Sequence, residues 1–388
     1  MRLTAGLLIG VFVLTCPAWA DDSPQTAPAP AAAATPTSAP SSPATPSAPA
    51  PSAASPPAAA PAAAAPARPR RPRENPDARK LPLIRVEGNK FVDSQGETIL
   101  FRGISISDPD KIEKQGHWNR AHFEHVKELG ANLVRIPVHP STWRERTPAK
   151  YLDMLDQAVA WCTELDMHVI IDWHSIGNLK MELFQNPMYD TTQRETYEFW
   201  RAIARHFAGN NTVAFYELFN EPTTFRGQLG SVSWSEWKKM NEDIIHLIRA
   251  YDSETIPLVA GFDWAYDLTP LREEPIAAQG IGYVTHPYGN KRPKPWEPKW
   301  EEDFGFAAAN YPLIATEWGF ELRDGEKIGE DDYGPHIVSY LEGKGISWVA
   351  WCYDPQWGPR LLKSWDYDLT GSGEFVKQTM AAKPQTAK

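Results

Sequence analysis

From residue 99 onward, short apolar runs alternate with stretches whose apolar residues recur every three to four positions. The runs at 99–106, 133–138, 168–173, 213–219, 257–261, 281–285, 312–316 and 346–352 read as buried strands. Helical patterns lie between them at 119–129, 151–165, 192–207, 234–251, 297–309 and 331–342; the connection after the fifth strand carries no clear one. Eight apolar strands joined by crossovers predict an α/β protein, a (β/α)8 TIM barrel. Ahead of it, 83–92 and 98–101 flank Asp93-Ser94-Gln95-Gly96, a hairpin signal, and predict an N-terminal β-hairpin that closes the bottom of the barrel.

The N-terminal eighty residues follow other rules. Arg2, the apolar stretch 7–14 and Ala18-Trp19-Ala20 read as a signal peptide, residues 1–20, so a secreted or periplasmic protein is expected. The apolar stretch is too short for a membrane span, and no later one approaches the length. Residues 21–80 are rich in Pro, Ala, Ser and Thr and end in a basic run; with so little apolar bulk they read as a disordered linker. Residues 81–388 read as one catalytic domain of barrel size. They hold 32 Lys/Arg against 45 Asp/Glu, a formal charge of −13, which argues against nucleic acid and polyanionic glycans and suits a neutral one. Cys162 and Cys352, separated by most of the barrel, are expected to be unpaired thiols.

Chemistry gathers where the strands end. Arg135 lies within the second strand, Asp172-Trp173-His174 closes the third, Asn220-Glu221-Pro222 the fourth, His286-Pro287-Tyr288 the sixth, Glu317 the seventh and Trp351 the eighth. Side chains at the C-terminal ends of barrel strands converge on one rim. Two carboxylates on one rim are what glycoside hydrolysis needs, one as acid and one as nucleophile or base. Arg135, flanked by aliphatic residues, requires an acidic partner. Asp172 is read as facing away from His174 and is left out of the set; His139 is read as structural.

In this order Arg135, His174, Asn220, Glu221, His286, Tyr288, Glu317 and Trp351 resemble the functional residues of glycoside hydrolase family 5, and the resemblance spans the whole domain from about residue 81. It implies a retaining mechanism with Glu221 as general acid/base and Glu317 as nucleophile. Arg135 and Tyr288 would hold Glu317, Asn220 the sugar 2-hydroxyl, His174 and His286 the sugar and Glu221, and Trp351 the ring face. The expected activity is that of a cellulase-type endo-β-1,4-glucanase, with β-mannanase, other β-glucanase and xyloglucanase as alternatives within the family. A catalytically silent carbohydrate-binding barrel is the rival of another class. The expected partner is a neutral β-linked polysaccharide or oligosaccharide bound by a monomer.

Sixteen tryptophans are a heavy load, and loop-borne Trp143, Trp264, Trp296, Trp300 and Trp357 are candidate sugar platforms. No cofactor or metal is expected: the loops after strands seven and eight are aromatic rather than glycine-rich, and zinc-type histidine spacings are missing.

Overall fold

The computed structural model describes residues 81–223, 229–322 and 326–384; the expected signal peptide and linker fall outside the described residues. The chain enters through an antiparallel pair, β1 (Arg85–Glu87) and β2 (Lys90–Val92). The turn between them falls at Gly88-Asn89, inside the run expected to be one strand, where Gly88 takes φ 61° without a Cβ penalty. The turn expected at 93–96 also forms, but the residues beyond it contribute only a bridge, Thr98 to Val92.

Eight parallel strands then close into a barrel: β3 (Arg102–Ile106), β4 (Leu133–Val138), β5 (His168–Trp173), β8 (Val213–Glu217), β10 (Ile256–Ala260), β11 (Gly282–Val284), β12 (Leu313–Trp318) and β13 (Ser347–Tyr353). They follow in chain order around the barrel, with β13 pairing back to β3. All eight expected strands are present, with ends shifted by a few residues. The omitted numbers belong to a small sheet on the rim: β6 (Ile176–Asn178), β7 (Leu183–Phe184) and β9 (Glu221–Pro222), too short to be legible as apolar runs.

The barrel interior is divided by depth. Its lower half is apolar, with Phe101, Leu133, Ile170, Phe215, Leu258, Ile314 and Val349 in one cluster. Phe91 of the hairpin enters from below, its ring 5.0 Å from Phe215 and 6.2 Å from Phe101, both edge-on. Asn211 donates to the Leu81 carbonyl at 3.0 Å and Asn89 to the Ala308 carbonyl at 2.7 Å, tying the plug to the barrel. Side chains alternate along a strand, so two residues further up the same inward face carries Arg135, Asp172, Glu217 and Thr316, all buried.

Helices cover the outside with their apolar stripes. Residues Trp234–Arg249 start at a capping box in which Ser233 and Glu236 satisfy each other's backbone N–H groups. Gln193–Phe207 is capped by Thr192 and buries Phe199, Trp200, Ile203 and Phe207. The connection after β10 holds only the short turn Phe262–Ala265 and a 3-10 segment, in keeping with the missing helical pattern there. The helix expected at 297–309 breaks at Phe304 into Glu297–Asp303 and a 3-10 segment. Cys162 and Cys352 are unpaired and buried.

Candidate active site

Arg135, fully buried on β4, organises the upper barrel. Its Nε donates to Glu217 Oε2 at 2.7 Å, one terminal nitrogen to Glu317 Oε1 at 2.8 Å, and the other to Asn220 Oδ1 at 2.6 Å and Glu217 Oε1 at 3.2 Å. That second nitrogen also lies 2.9 Å from Asp172 Oδ2. A planar guanidinium serves several oxygens at once, where a lysine would serve one point. Burial opposes its charge, but Asp172, Glu217 and Glu317 raise its pKa well above the ordinary value.

Glu317, next to last in β12, has both oxygens engaged, Oε1 by Arg135 and Oε2 by the Tyr288 hydroxyl at 2.8 Å. Burial drives its carboxyl upward, His286 and Arg135 pull it down, and the net direction is up. Glu221 sits differently. It lies on β9, whose backbone is hooked onto the loop after β5: Glu221 N–H donates to the Ser175 carbonyl, and Ile176 pairs with Glu221 in parallel register. Its Oε1 faces His286 Nδ1 at 2.9 Å, and its side chain borders a cavity of about 500 Å³. Oxygens of Glu221 and Glu317 lie within 4.8 Å of each other.

His286, at the end of β11, joins the two halves. Burial disfavours its charge, yet Glu317, Glu217 and Glu221 together raise its pKa to about 9. As an imidazolium it donates through Nδ1 to Glu221 and through Nε2 to Thr316 Oγ1 at 3.0 Å. Thr316 in turn donates to Glu217 Oε1 at 2.8 Å. Arg135 and His286 hold Glu217 below its usual range against the cost of burial.

Asp172 corrects the sequence reading. Residues two apart on a strand share a face, and Asp172 Oδ2 stands 2.6 Å from His174 Nδ1. Burial, His139 and Arg135 push the His174 pKa well below its ordinary value. The ring is therefore neutral; burial also raises the Asp172 carboxyl well above its ordinary value against the pull of Arg135, and the two side chains share the hydrogen bond at Nδ1. Trp351 lies parallel to His174, centroids 5.4 Å apart, and Trp357 parallel to Trp351 at 6.3 Å. His139 is held by Asp108 at 2.9 Å, as its structural reading expects, and its ring borders His174 and Trp357.

The eight expected residues thus converge on one rim. Glu217 and Thr316 were missed. A carboxylate inside the apolar run 213–219 is the signal that could have found the first; nothing in the sequence marks the second. The five loop tryptophans divide. Trp264 and Trp296 line the cavity that Glu221 borders, and Trp357 flanks Trp351. Trp143 and Trp300 are corrections: they are 4% and 0% exposed, packed against Tyr151 and Phe199 and against Trp296 and Tyr333, and offer no face to the cleft.

Among the described residues, Glu221, His286 and Glu317 form the set close enough to share a metal ion. A protonated His286 presents N–H groups rather than lone pairs, and both Glu317 oxygens already accept hydrogen bonds, so the set suits proton chemistry better.

A family model described as cellulase (glycosyl hydrolase family 5) matches residues 92–356. The native form of beta-glucanase SdGluc5_26A from Saccharophagus degradans is 45% identical, with a TM-score of 0.74 over 77% of this chain and 93% of that one. A structure of the same beta-glucanase in complex with cellotetraose gives 44% identity and a TM-score of 0.74, with the same coverage of both chains. An endoglucanase from Clostridium saccharobutylicum is 26% identical over 320 residues, 79% of this chain and 66% of its own length. Endoglucanase A from Butyrivibrio fibrisolvens is 25% identical over 281 residues, 69% of this chain and 59% of its own. The chain therefore spans about two thirds or less of these two curated relatives.

Proposed function

The chain belongs to glycosyl hydrolase family 5, and we propose that it is a retaining endo-β-1,4-glucanase working by double displacement. The observation that carries this reading is the unequal setting of two carboxylates whose oxygens lie within 4.8 Å. Retaining enzymes keep their carboxyl groups about 5–5.5 Å apart, whereas inverting ones leave room for a water at about 6.5–9.5 Å.

Glu317, engaged on both oxygens by donors, is the ionised partner and attacks the anomeric carbon. The bond from that carbon to the leaving sugar's oxygen breaks, and the Glu221 proton passes to the departing oxygen. Glu221, now a carboxylate, removes a proton from water; the water oxygen bonds to the anomeric carbon and displaces Glu317. His286 orients Glu221 throughout. The Asn220 carbonyl is fixed by Arg135, which turns its amide N–H groups toward the sugar's 2-hydroxyl. His174, anchored by Asp172, hydrogen-bonds another hydroxyl through its second nitrogen, and Trp351 packs on the apolar ring face.

β-Glucan as substrate draws support from the beta-glucanase of Saccharophagus degradans and its cellotetraose complex. Mixed-linkage glucan is the second reading, because that relative is named for β-glucan at large. The protein acts as a monomer and is exported by the signal peptide at 1–20; among the described residues no helix is long and apolar enough to cross a membrane. Reducing-sugar release is the test, on carboxymethylcellulose, mixed-linkage glucan, xyloglucan, mannan, xylan and laminarin. Cleavage of the first two, with the β-anomer formed first, is expected; cleavage of mannan alone would overturn the substrate assignment.

A further inference from the structure

After β10 the backbone does something unusual. Asp263, Trp264 and Ala265 take φ values of 57°, 55° and 57° in succession, and none is glycine. Left-handed geometry crowds Cβ against the following carbonyl, so such residues normally occur singly. A run of three persists only where the surroundings over-determine it. Phe262 and Asp267 exchange backbone hydrogen bonds at 3.1 and 2.9 Å across the turn. At Gly261 a Cβ would stand 1.9 Å from the Asp267 carbonyl oxygen, so only glycine closes it. The Ala265 carbonyl accepts from His286 N–H at 3.1 Å, which couples the turn to the histidine that touches Glu221.

A lysine adds a further restraint, beside the Tyr266 N–H that also donates to the Asp263 carbonyl at 3.3 Å and the Arg292 guanidinium 3.7 Å from the Asp263 carboxylate. Lys291 Nζ donates to the Asp263 carbonyl at 2.6 Å and lies 5.0 Å from the centre of the Trp264 ring. The Asp263 carboxylate is 3.7 Å away. Burial lowers the Lys291 pKa, with Asp263 and Glu221 opposing. The indole N–H of Trp264 donates to Gln185 Oε1 at 3.0 Å, and its ring shares the wall of the Glu221 cavity with Lys291, Trp296 and Phe320. Trp351, His174 and Trp357 are not part of that wall.

We infer that Lys291 is a positioning residue for the leaving-group side of the cleft: it pins the left-handed turn at 263–265 and so stands the Trp264 ring beside Glu221, where the departing sugar binds. The inference rests on the glycosidase reading and deepens it. An acid that protonates the leaving oxygen must face the departing sugar, so the cavity Glu221 borders is the place for that sugar. The ring so placed makes a wall for the apolar face of that sugar, while the Lys291 ammonium is occupied by the Asp263 carbonyl and the ring.

The test compares two substrates in the full-length enzyme. Cellotetraose leaves as a sugar; 4-nitrophenyl β-cellobioside leaves as a nitrophenol that does not need the subsite. Lys291→Met and Trp264→Ala should each lower kcat/KM on cellotetraose about tenfold, mainly through KM, and change the aryl substrate less than about twofold. The double variant should lose no more than Trp264→Ala alone, because residues acting through one another are not additive. Lys291→Gln keeps an N–H for the Asp263 carbonyl and should fall between; it carries the comparison if Lys291→Met does not fold. Equal losses on both substrates, or losses that multiply in the double variant, overturn the role of Lys291. A wild-type enzyme inactive on both substrates overturns instead the β-1,4-glucanase reading beneath it.

Discussion

His286 donates to Glu221, with Nδ1 2.9 Å from Oε1, so the proposed acid/base is steered by a side chain that is itself charged. The second nitrogen reaches Glu217 through Thr316. A buried imidazolium bounded by three carboxylates ties the charge of the site to the stability of the fold.

A pH dependence follows. The His286 pKa rises from 6.5 to about 9 on folding. A raised pKa contributes stability that is complete below the unfolded value and is lost as pH climbs through the folded one. Thermal unfolding should therefore show Tm falling as pH rises from 7 toward 10, and His286→Gln should flatten that fall. An unchanged slope in the variant would place the proton elsewhere.

On the acid side the proposed nucleophile sets the limit. Glu317 must be ionised, and its pKa is raised above 4.5. The acid limb of kcat/KM should lie above the ordinary carboxylate range, and Tyr288→Phe, which removes a donor to the carboxylate, should move it higher still. The measurement is the pH–rate profile of wild type and variant on one substrate.

The two glutamates should fail differently. Glu317→Ala should abolish turnover, and added azide should restore a glycosyl azide of inverted configuration. Glu221→Ala should spare the first step on aryl glycosides with good leaving groups far more than on glucan, since only the latter needs a proton on its departing oxygen. Ordinary residual hydrolysis in the first variant, or equal losses in the second, would reassign the roles.

Arg135→Met should cost about 3–5 kcal/mol in urea unfolding, because it removes the guanidinium shared by buried Glu217, Asp172 and Glu317 and leaves His286 alone to face Glu217 and Glu317. Arg135→Lys should recover little, since one ammonium cannot meet the same four side chains.

At the other end of the barrel, Phe91→Ala should cost about 3–5 kcal/mol through the cavity it leaves against Phe101 and Phe215. Its kcat on glucan should stay near wild type. Loss of activity in a folded variant would show that the plug shapes the rim.

The barrel was legible because its strands are apolar runs, and the glutamate pair because Glu221 and Glu317 stand where such runs end. What escaped has physical reasons. Glu217 lies inside its apolar run, and burial there makes sense only once Arg135 and Thr316 are seen converging from neighbouring strands. Asp172 was legible and misread: a period of two puts it beside His174. The tryptophans could not be sorted, because whether Trp143 or Trp264 faces the cleft depends on packing partners distant in sequence. Strands of two and three residues, such as β9 and β6, carry too few positions to show a period.

That rim sheet gives the two carboxylates different foundations. Glu317 is built into the barrel wall, whereas Glu221 rides on an outrigger whose alignment rests on Ile176 opposite Glu221 and Gly177 opposite Pro222. A slip of a single residue there would turn the carboxyl away from the cleft. Gly177 guards the alignment, since a Cβ at that position would come within 2.4 Å of the Leu183 carbonyl oxygen. The gap between Glu317 and Glu221 is therefore set partly outside the cylinder, by the register of a two-residue strand. A change confined to that outrigger would alter the spacing of the two carboxylates while leaving every barrel strand untouched.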